Sequence, residues 1–228
     1  LPGVGNVNVA TGNLVVTIPT LTSTDALMPF TPTLVYNSSL NARDYTSNHA
    51  ETAYSTSFMP KGFKLNIQET LLKKSYIDKN GVEKYWFVWA DADGTEHYFL
   101  PTETNNTYKD EDGLLLTLVE SANSCTITDS GHNVRTFGAY TPCPTNAASA
   151  WFLQSITDQS GNKLQFGFDS LNRPISVNLI PNNKSTIQQL QLLYLESGKL
   201  FAVWNPTSKE ATVLRYAPTG YYDISTSN

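Results

Sequence analysis

The feature that most constrains this sequence is a turn that recurs between short apolar runs. Its commonest form is Asp-x-Asn/Asp-Gly, at residues 78–81, 91–94 and 110–113, with variants at 129–131 and 158–161. An aspartate side chain can bond its own backbone two residues further on, and glycine supplies the positive φ that hairpin turns require. The turns therefore predict a series of β-hairpins.

The runs between the turns alternate apolar and polar residues, which is the period of a β-strand. Leu164, Phe166 and Phe168 show this alternation, and it continues over residues 175–179 and 190–194. Residues 84–89 (KYWFVW) are apolar on both faces and predict a strand covered on both sides. We predict an all-β fold: an antiparallel β-hairpin series, or meander, that forms a large twisted or curved sheet with little or no helix.

The pattern gives no reason to divide the chain into two domains. Residues 1–60 are rich in Pro, Thr, Ser and Asn, and we interpret them as a strand-containing segment that packs on the sheet. Residues 61–228 are the hairpin series of the same domain. The last residues, 223–228, resemble a strand cut short, so we expect the domain to be truncated at its C-terminal end.

The charge balance excludes some classes of partner. Fifteen Lys and Arg against twenty Asp and Glu give a net charge of −5. This balance provides no basic surface for nucleic acid. The sequence also contains no apolar run long enough to cross a bilayer, so we predict neither a nucleic-acid partner nor a membrane span.

Two cysteines, Cys125 and Cys143, are too few for a disulfide framework. They either pair with each other or are two independent thiols, and both interpretations stay open because sequence does not give their separation. They lack the close Cys/His spacing of a zinc site.

Paired carboxylates suggest acid/base chemistry at two places, Asp91/Asp93 and Asp110/Asp112. Each pair lies inside a turn pattern, where aspartate is a usual residue, so we interpret both pairs as turn residues. The pattern also lacks the distal glutamate of an EF-hand calcium loop. We therefore predict no metal site.

The histidines offer little evidence for catalysis. None of them forms a metal-binding H-x-x-x-H pair or neighbours a nucleophile elbow; they are His49, His97 and His132. We predict cross-strand packing for His97 and solvent exposure for His132. We therefore predict that the chain is not an enzyme and that it has no catalytic residues and no cofactors.

Aromatic residues support a second class of function, binding. Four Trp and twelve Tyr could form a platform for sugar rings, or they could be the core and cross-strand pairs of the sheet. Trp86 and Trp89 fall on opposite faces of one strand, so at least one of them is expected in the core. Trp151, which follows a small-residue loop, and Trp204 are the candidate ligand-binding residues, and Trp151 is the better candidate for an exposed ring.

One stretch resembles a known repeat. Residues 156–162 (ITDQSGN), followed by Phe168-Asp169 and Arg173-Pro174-Ile175, resemble the Rhs/YD-repeat pattern, in which I-x-D-x-x-G-N is followed by Y-D-x-x-G-R-L-x-x-I. Phe168 stands at the position of the name-giving Tyr, Asn172 at that of the Gly, and Pro174 at that of the Leu. Phe keeps a ring, and Asn tolerates a left-handed turn.

The beginning of the chain shows the same resemblance. Residues 7–14 (VNVATGNL) and 34–38 (LVYNS) are similar to the V-N-x-x-T-G-N and Y-N-S elements that open such regions. Residues 62–65 (GFKL) are similar to the next element, G-W-x-L, with Phe63 in place of Trp. These motifs occur in the order expected of the N-terminal part of a Rhs/YD-repeat region.

The resemblance implies a structural segment of a bacterial cell-surface or secreted protein, located outside the cell or on its surface. In that family, hairpin repeats wind a long β-sheet into a hollow shell. The partners it implies are the remainder of a longer chain and a cell-surface glycan or protein. The alternative function is an adhesin or carbohydrate-binding module that uses exposed aromatic residues.

Overall fold

A computed structural model describes residues 4–9, 12–23, 25–39, 58–60, 62–139, 150–171, 173–216 and 222–227. These residues form eighteen β-strands. The strand registers are antiparallel throughout, from the pairing of the first two strands to that of the last two. The predicted all-β fold of antiparallel hairpins is confirmed.

The strands are three to eight residues long. In chain order they are β1 Val4–Asn8, β2 Asn13–Pro19, β3 Thr33–Asn37, β4 Phe63–Leu65, β5 Thr70–Ile77, β6 Glu83–Ala90, β7 Glu96–Pro101, β8 Thr107–Asp110 and β9 Thr117–Glu120. They continue as β10 Ser124–Thr128, β11 Val134–Ala139, β12 Ala150–Thr157, β13 Lys163–Phe168, β14 Pro174–Ile180, β15 Ile187–Tyr194, β16 Leu200–Trp204, β17 Ala211–Tyr216 and β18 Tyr222–Ser227.

The described residues divide into two compact units. The first unit lies within residues 1–43, 54–67 and 162–228, and the second within 44–53 and 68–161. The assignment of residues 1–60 and 61–228 to parts of one domain stays a prediction. Among the described residues, no helix has the length and apolar character needed to cross a membrane.

The second unit is a closed barrel of eight strands, β5 to β12, in which each strand pairs with the next along the chain. The first and last strands pair as well, with Trp151 opposite Leu71 and Phe152 opposite Thr70. Closure removes the unpaired edges that an open sheet of this size would expose. The hairpin meander predicted from sequence thus curves back on itself.

Aromatic side chains fill the interior of the barrel. The Phe87 ring on β6 lies 4.7 Å from the Tyr108 ring on β8 and 5.7 Å from the Trp151 ring on β12. Neither β8 nor β12 is a neighbour of β6, so these contacts cross the interior. Val88, on the opposite face of β6 from Phe87, is also buried. The prediction of a strand covered on both sides is therefore confirmed for this part of β6.

The first unit contains a four-stranded sheet, β1-β2-β3-β4, and the meander β13 to β18. Ring contacts join the two parts: Phe30 lies 5.3 Å from Phe166, and Phe58 lies 5.7 Å from Tyr194. Phe58 is completely buried. These two contacts lie within the first unit, and the packing of residues 1–60 as a segment on the hairpin series stays a prediction.

Four hairpin loops, which begin at Asp78, Asp91, Asp129 and Asp169, share one hydrogen-bond pattern. In each loop, Oδ1 of the aspartate accepts hydrogen bonds from the backbone N–H groups two and four residues further on. The distances are 2.8 and 2.9 Å at Asp78, 3.0 and 3.0 Å at Asp91, 2.9 and 2.9 Å at Asp129, and 2.9 and 3.0 Å at Asp169. The predicted role of aspartate as a turn residue is confirmed at these positions.

In three of these loops the left-handed residue comes three positions after the aspartate. It is glycine in two of the loops, Gly81 with φ 78° and Gly94 with φ 87°. In the Asp129 loop the left-handed residue is His132, with φ 61°. The expectation that Gly131 supplies the positive φ there is wrong. The loop requires the left-handed residue three positions after Asp129, and Gly131 comes only two positions after it. His132 is exposed, as predicted.

Candidate functional site

Trp151, the preferred ligand-binding candidate, is only 8% exposed. It lies on β12 opposite Leu71 of β5, and its ring points into the barrel towards Phe87. The expectation that Trp151 presents an exposed ring is wrong. The small residues before it suggested a loop, but β12 already begins at Ala150 and places the ring at the closure of the barrel.

Trp204, the second candidate, belongs to the other compact unit. It lies at the end of β16 and is half-buried, and the ammonium group of Lys209 lies 5.5 Å from the centre of its ring. A cation over an aromatic face is a common stabilising contact at a strand end. A ligand-binding role for Trp204 stays a prediction.

A different set of aromatic residues forms an open groove of about 340 Å³ on the barrel unit. We call it the aromatic groove; it is lined by Tyr76, Trp86, Tyr98, Leu100 and Glu111. Its volume lies within the range of small-molecule sites, which combine mostly apolar walls with a few polar groups. This groove is the candidate functional site.

The strand alternation explains why these side chains meet. Trp86 follows Tyr85 and precedes Phe87 on β6; because Phe87 points into the barrel, Trp86 points outwards. Tyr98 pairs with Val88, which shares the outward face of Trp86. Glu111 comes directly after β8 and donates its backbone N–H to the carbonyl of Tyr98 at 3.0 Å.

Three contacts hold the rings of the groove in place. The rings of Trp86 and Tyr98 are stacked, with centres 5.6 Å apart and planes inclined by 25°. The Lys74 ammonium lies 5.6 Å from the centre of the Trp86 ring. Tyr98 also donates a long hydrogen bond of 3.4 Å from its hydroxyl to Oε2 of Glu96. These contacts pre-order the part of the groove wall that Trp86 and Tyr98 form.

A series of side-chain contacts, polar and aromatic, runs from the core of the barrel to one of its ends. Trp89 donates a 3.0 Å hydrogen bond from Nε1 to Oε2 of Glu69, and Nε of Arg135 forms an ion pair of 3.4 Å with the same oxygen. The Trp89 ring lies 5.0 Å from that of His97. Glu69 is nearly fully buried, so it depends on these partners to offset its loss of hydration.

His97 lies between two carboxylates. Its Nε2 is 3.2 Å from Oδ2 of Asp91, and its Nδ1 is 2.9 Å from Oδ2 of Asp112. The hydrogen bond with Asp91 raises the pKa of His97, partial burial opposes that shift, and Asp112 adds to it. The predicted packing role of His97 is confirmed by its contact with Trp89, whereas its contacts with the two aspartates were not foreseen.

A second polar cluster lies around Glu120 of β9. Lys73 donates to Oε1 of Glu120 at 2.5 Å, and the Tyr108 hydroxyl donates to Oε2 at 3.3 Å. Burial, followed by the nearby Glu120, raises the pKa of Tyr108 to about 12. Burial likewise raises the pKa of the Cys125 thiol to about 12. Cys125 is a buried free thiol, and Cys143 lies outside the described residues.

The carboxylate pairs noted in the sequence are used by the loops. Oδ1 of Asp91 accepts backbone hydrogen bonds, and Asp110 accepts from Leu114 and Leu116, both at 2.6 Å. Within the described ranges, no group of three or more His, Cys, Asp or Glu side chains is arranged to hold a metal ion. The absence of catalytic residues, metal and cofactors stays a prediction.

Comparisons with known proteins give matches among solved structures alone. No protein-family profile matches the chain, and no curated protein matches its sequence. A chain in a structure of the Tc holotoxin pore of Photorhabdus luminescens is similar with a TM-score of 0.30 and 12% sequence identity, over 94% of this chain. This chain spans 13% of the length of that toxin chain.

Proposed function

We propose that the chain is a non-enzymatic structural segment of a bacterial cell-surface or secreted protein of the Rhs/YD-repeat type. In this role it builds part of a β-sheet shell or scaffold. The observation that carries the proposal is the hairpin loop that recurs with the same hydrogen bonds at Asp78, Asp91, Asp129 and Asp169. A loop that is repeated without a shared reactive group favours the building of surface over catalysis.

The loop at Asp169 gives the repeat resemblance a physical basis. Besides the backbone bonds, Nε of Arg173 donates to Oδ2 of Asp169 at 2.8 Å, and its Nη2 lies 2.7 Å from the same oxygen. The Arg173 guanidinium also lies 4.5 Å from the centre of the Tyr194 ring. The Asp and Arg of the repeat pattern thus close the loop and connect it to a neighbouring strand. Asn172 lies outside the described residues.

The positions of the acidic groups support the non-enzymatic part of the proposal. Three members of the carboxylate pairs noted in the sequence have structural contacts. Asp91 and Asp110 accept hydrogen bonds from loop backbone, and Asp112 contacts His97. Their use in holding the loops supports a structural role for these three groups, and none of them lines the aromatic groove. We propose that the chain uses no cofactor and that its main partner is the remainder of a longer polypeptide.

Cell fractionation tests this proposal. An antibody raised against the 228-residue chain is applied to culture supernatant, to intact cells treated with external protease, and to lysate. We expect the antigen in the supernatant or in a protease-sensitive surface fraction, within a polypeptide much larger than this chain. A cytosolic enzyme measured in the same samples controls for lysis. A protease-protected intracellular antigen of the size of this chain would contradict the proposal.

A further inference from the structure

We infer that the aromatic groove binds a short, uncharged oligosaccharide. The proposed scaffold role assigns no ligand to the groove, so the inference goes beyond that role. It also assigns binding to residues other than Trp151 and Trp204.

The lining of the groove extends across several strands. Its residues come from four neighbouring strands or their ends: Tyr76 from β5, Trp86 from β6, Tyr98 and Leu100 from β7, and Glu111 after β8. Adjacent strands lie about 4.8 Å apart, so a path across four of them measures about 14 Å. That length accommodates about two or three linked sugar rings, whereas a single ring would fill only part of it.

The chemistry of the lining matches a sugar. Tyr76, Trp86 and Tyr98 combine apolar ring surface with a polar hydroxyl or N–H group. A pyranose has the complementary arrangement, with C–H groups on its faces and hydroxyl groups around its edge. The Glu111 carboxylate accepts hydrogen bonds from hydroxyl groups, and the Lys74 ammonium beside Trp86 donates them.

The charges in and around the groove favour a neutral ligand. Glu111 lines the groove and Glu96 contacts the Tyr98 hydroxyl, whereas Lys74 lies over Trp86. The strand pairing places two further lysines on the same face, Lys84 opposite Tyr76 and Lys109 opposite Leu100, so charges of both signs surround the groove. The hydroxyl groups of a sugar can form hydrogen bonds with both the carboxylates and the ammonium groups without adding charge.

The exposure of the apolar side chains supports a ligand at this place. Tyr76 is 44% exposed and Leu100 is 46% exposed, and they share the groove with half-buried Trp86. Each leaves apolar surface in water that folding alone does not cover. A sugar placed across the groove would cover this apolar surface.

Calorimetric titration of the whole chain with trisaccharides tests the inference. The probes are cellotriose, maltotriose, mannotriose and chitotriose, and a decaproline peptide serves as the probe for a peptide groove. We expect at least one trisaccharide to bind with a Kd between about 10 μM and 1 mM. The Tyr76→Ala and Trp86→Ala substitutions should each weaken that binding by about tenfold or more.

Tyr85→Ala is the matched control, because Tyr85 is 38% exposed and lies on the other face of β6 from Trp86. This variant should bind the trisaccharide as the unchanged chain does. If Trp86→Ala fails to fold by circular dichroism, Tyr76→Ala decides, because its side chain is largely outside the core. The inference is overturned if no trisaccharide binds at about 10 mM, if Tyr76→Ala binds unchanged, or if only the decaproline peptide binds.

Discussion

Nδ1 of His97, on β7, lies 2.9 Å from Oδ2 of Asp112, and this contact is one of two by which the His97 ring connects two loops at one end of the barrel. Asp112 belongs to the β8–β9 loop, and Asp91, on the other nitrogen of the same ring, begins the β6–β7 loop. With both nitrogens next to carboxylates, the imidazole bridges the loops best as the doubly protonated cation. The stability that it contributes must therefore depend on pH.

The direction of this dependence follows from the raised pKa of His97. A group whose pKa is higher in the folded state contributes its full stability below the unfolded value of 6.5 and loses it as pH rises through the folded pKa. We predict that His97→Gln lowers the free energy of unfolding more at about pH 5.5 than at about pH 8.5. Urea denaturation at the two pH values measures this difference. An equal loss at both would mean that packing on Trp89, rather than charge, carries the contribution.

The hairpin loop gives a second prediction, at Asp129. Its Oδ1 accepts from the backbone of Gly131 and Asn133, and its Oδ2 accepts from the Asn133 side chain at 3.0 Å. Asp129→Ala removes these acceptors and should lower the free energy of unfolding by roughly 1–2 kcal/mol. Asp129→Asn is the matched control, because its amide oxygen can still accept the two backbone bonds.

The Asp129→Asn variant should lose clearly less stability than Asp129→Ala in chemical denaturation. If the two variants lose the same amount, the charge of Asp129 and not the loop bonds would be responsible. The pKa of Asp129 is lowered, because the bonds from Asn133 and Gly131 outweigh burial. Its contribution should therefore be present above the unfolded value of 3.8 and be lost as pH falls through the folded pKa.

The buried thiol of Cys125 gives a kinetic prediction. A pKa of about 12, against an ordinary value of 9.0, means that the reactive thiolate is about a thousandfold less populated in the folded state. In a Cys143→Ser variant, which leaves Cys125 as the single thiol, iodoacetamide should modify the folded protein at least about a thousandfold more slowly than the urea-unfolded protein. Mass spectrometry of timed samples measures both rates. Comparable rates would show that the barrel opens at Cys125 during the reaction.

The core of the first unit gives a fourth prediction, at Phe58. Its side chain is completely buried, and its ring meets Tyr194 edge-on at 5.7 Å. Phe58→Ala should lower the free energy of unfolding by about 3–5 kcal/mol through lost burial and a cavity. Phe201→Ala serves as the control. Because the Phe201 ring is 38% exposed, this substitution should lower the free energy of unfolding much less. A small loss for Phe58→Ala would indicate that the N-terminal strands contribute little to the unit.

The sequence was sufficient to predict strands and loops because their signals are local. Alternation in β13 and the Asp loops depend on residues within a few positions of one another, and both appear where predicted. Closure of the barrel depends on the pairing of Trp151 with Leu71, which are far apart in the chain and carry no local signal. The ring of Trp151 is buried by this closure. Because the closure has no local signal, the sequence led to the wrong prediction that the ring is exposed.

The aromatic groove was only partly accessible to sequence reasoning. The placement of Trp86 and Trp89 on opposite faces of β6 is confirmed, with Trp89 6% exposed and Trp86 half-buried. Alternation alone could not indicate that Tyr76 and Leu100, from two other strands, share the outward face with Trp86. That proximity depends on the register between strands, which a single sequence does not specify.

The first unit is discontinuous in the chain, and this has a consequence for its folding during synthesis on the ribosome. Phe30 and Phe58 find their ring partners, Phe166 and Tyr194, only after the whole barrel sequence has been translated. At about 5–20 residues per second, that interval lasts roughly ten seconds. During it the barrel strands can already pair with one another, whereas Phe30 and Phe58 still lack the rings that they contact in the folded unit.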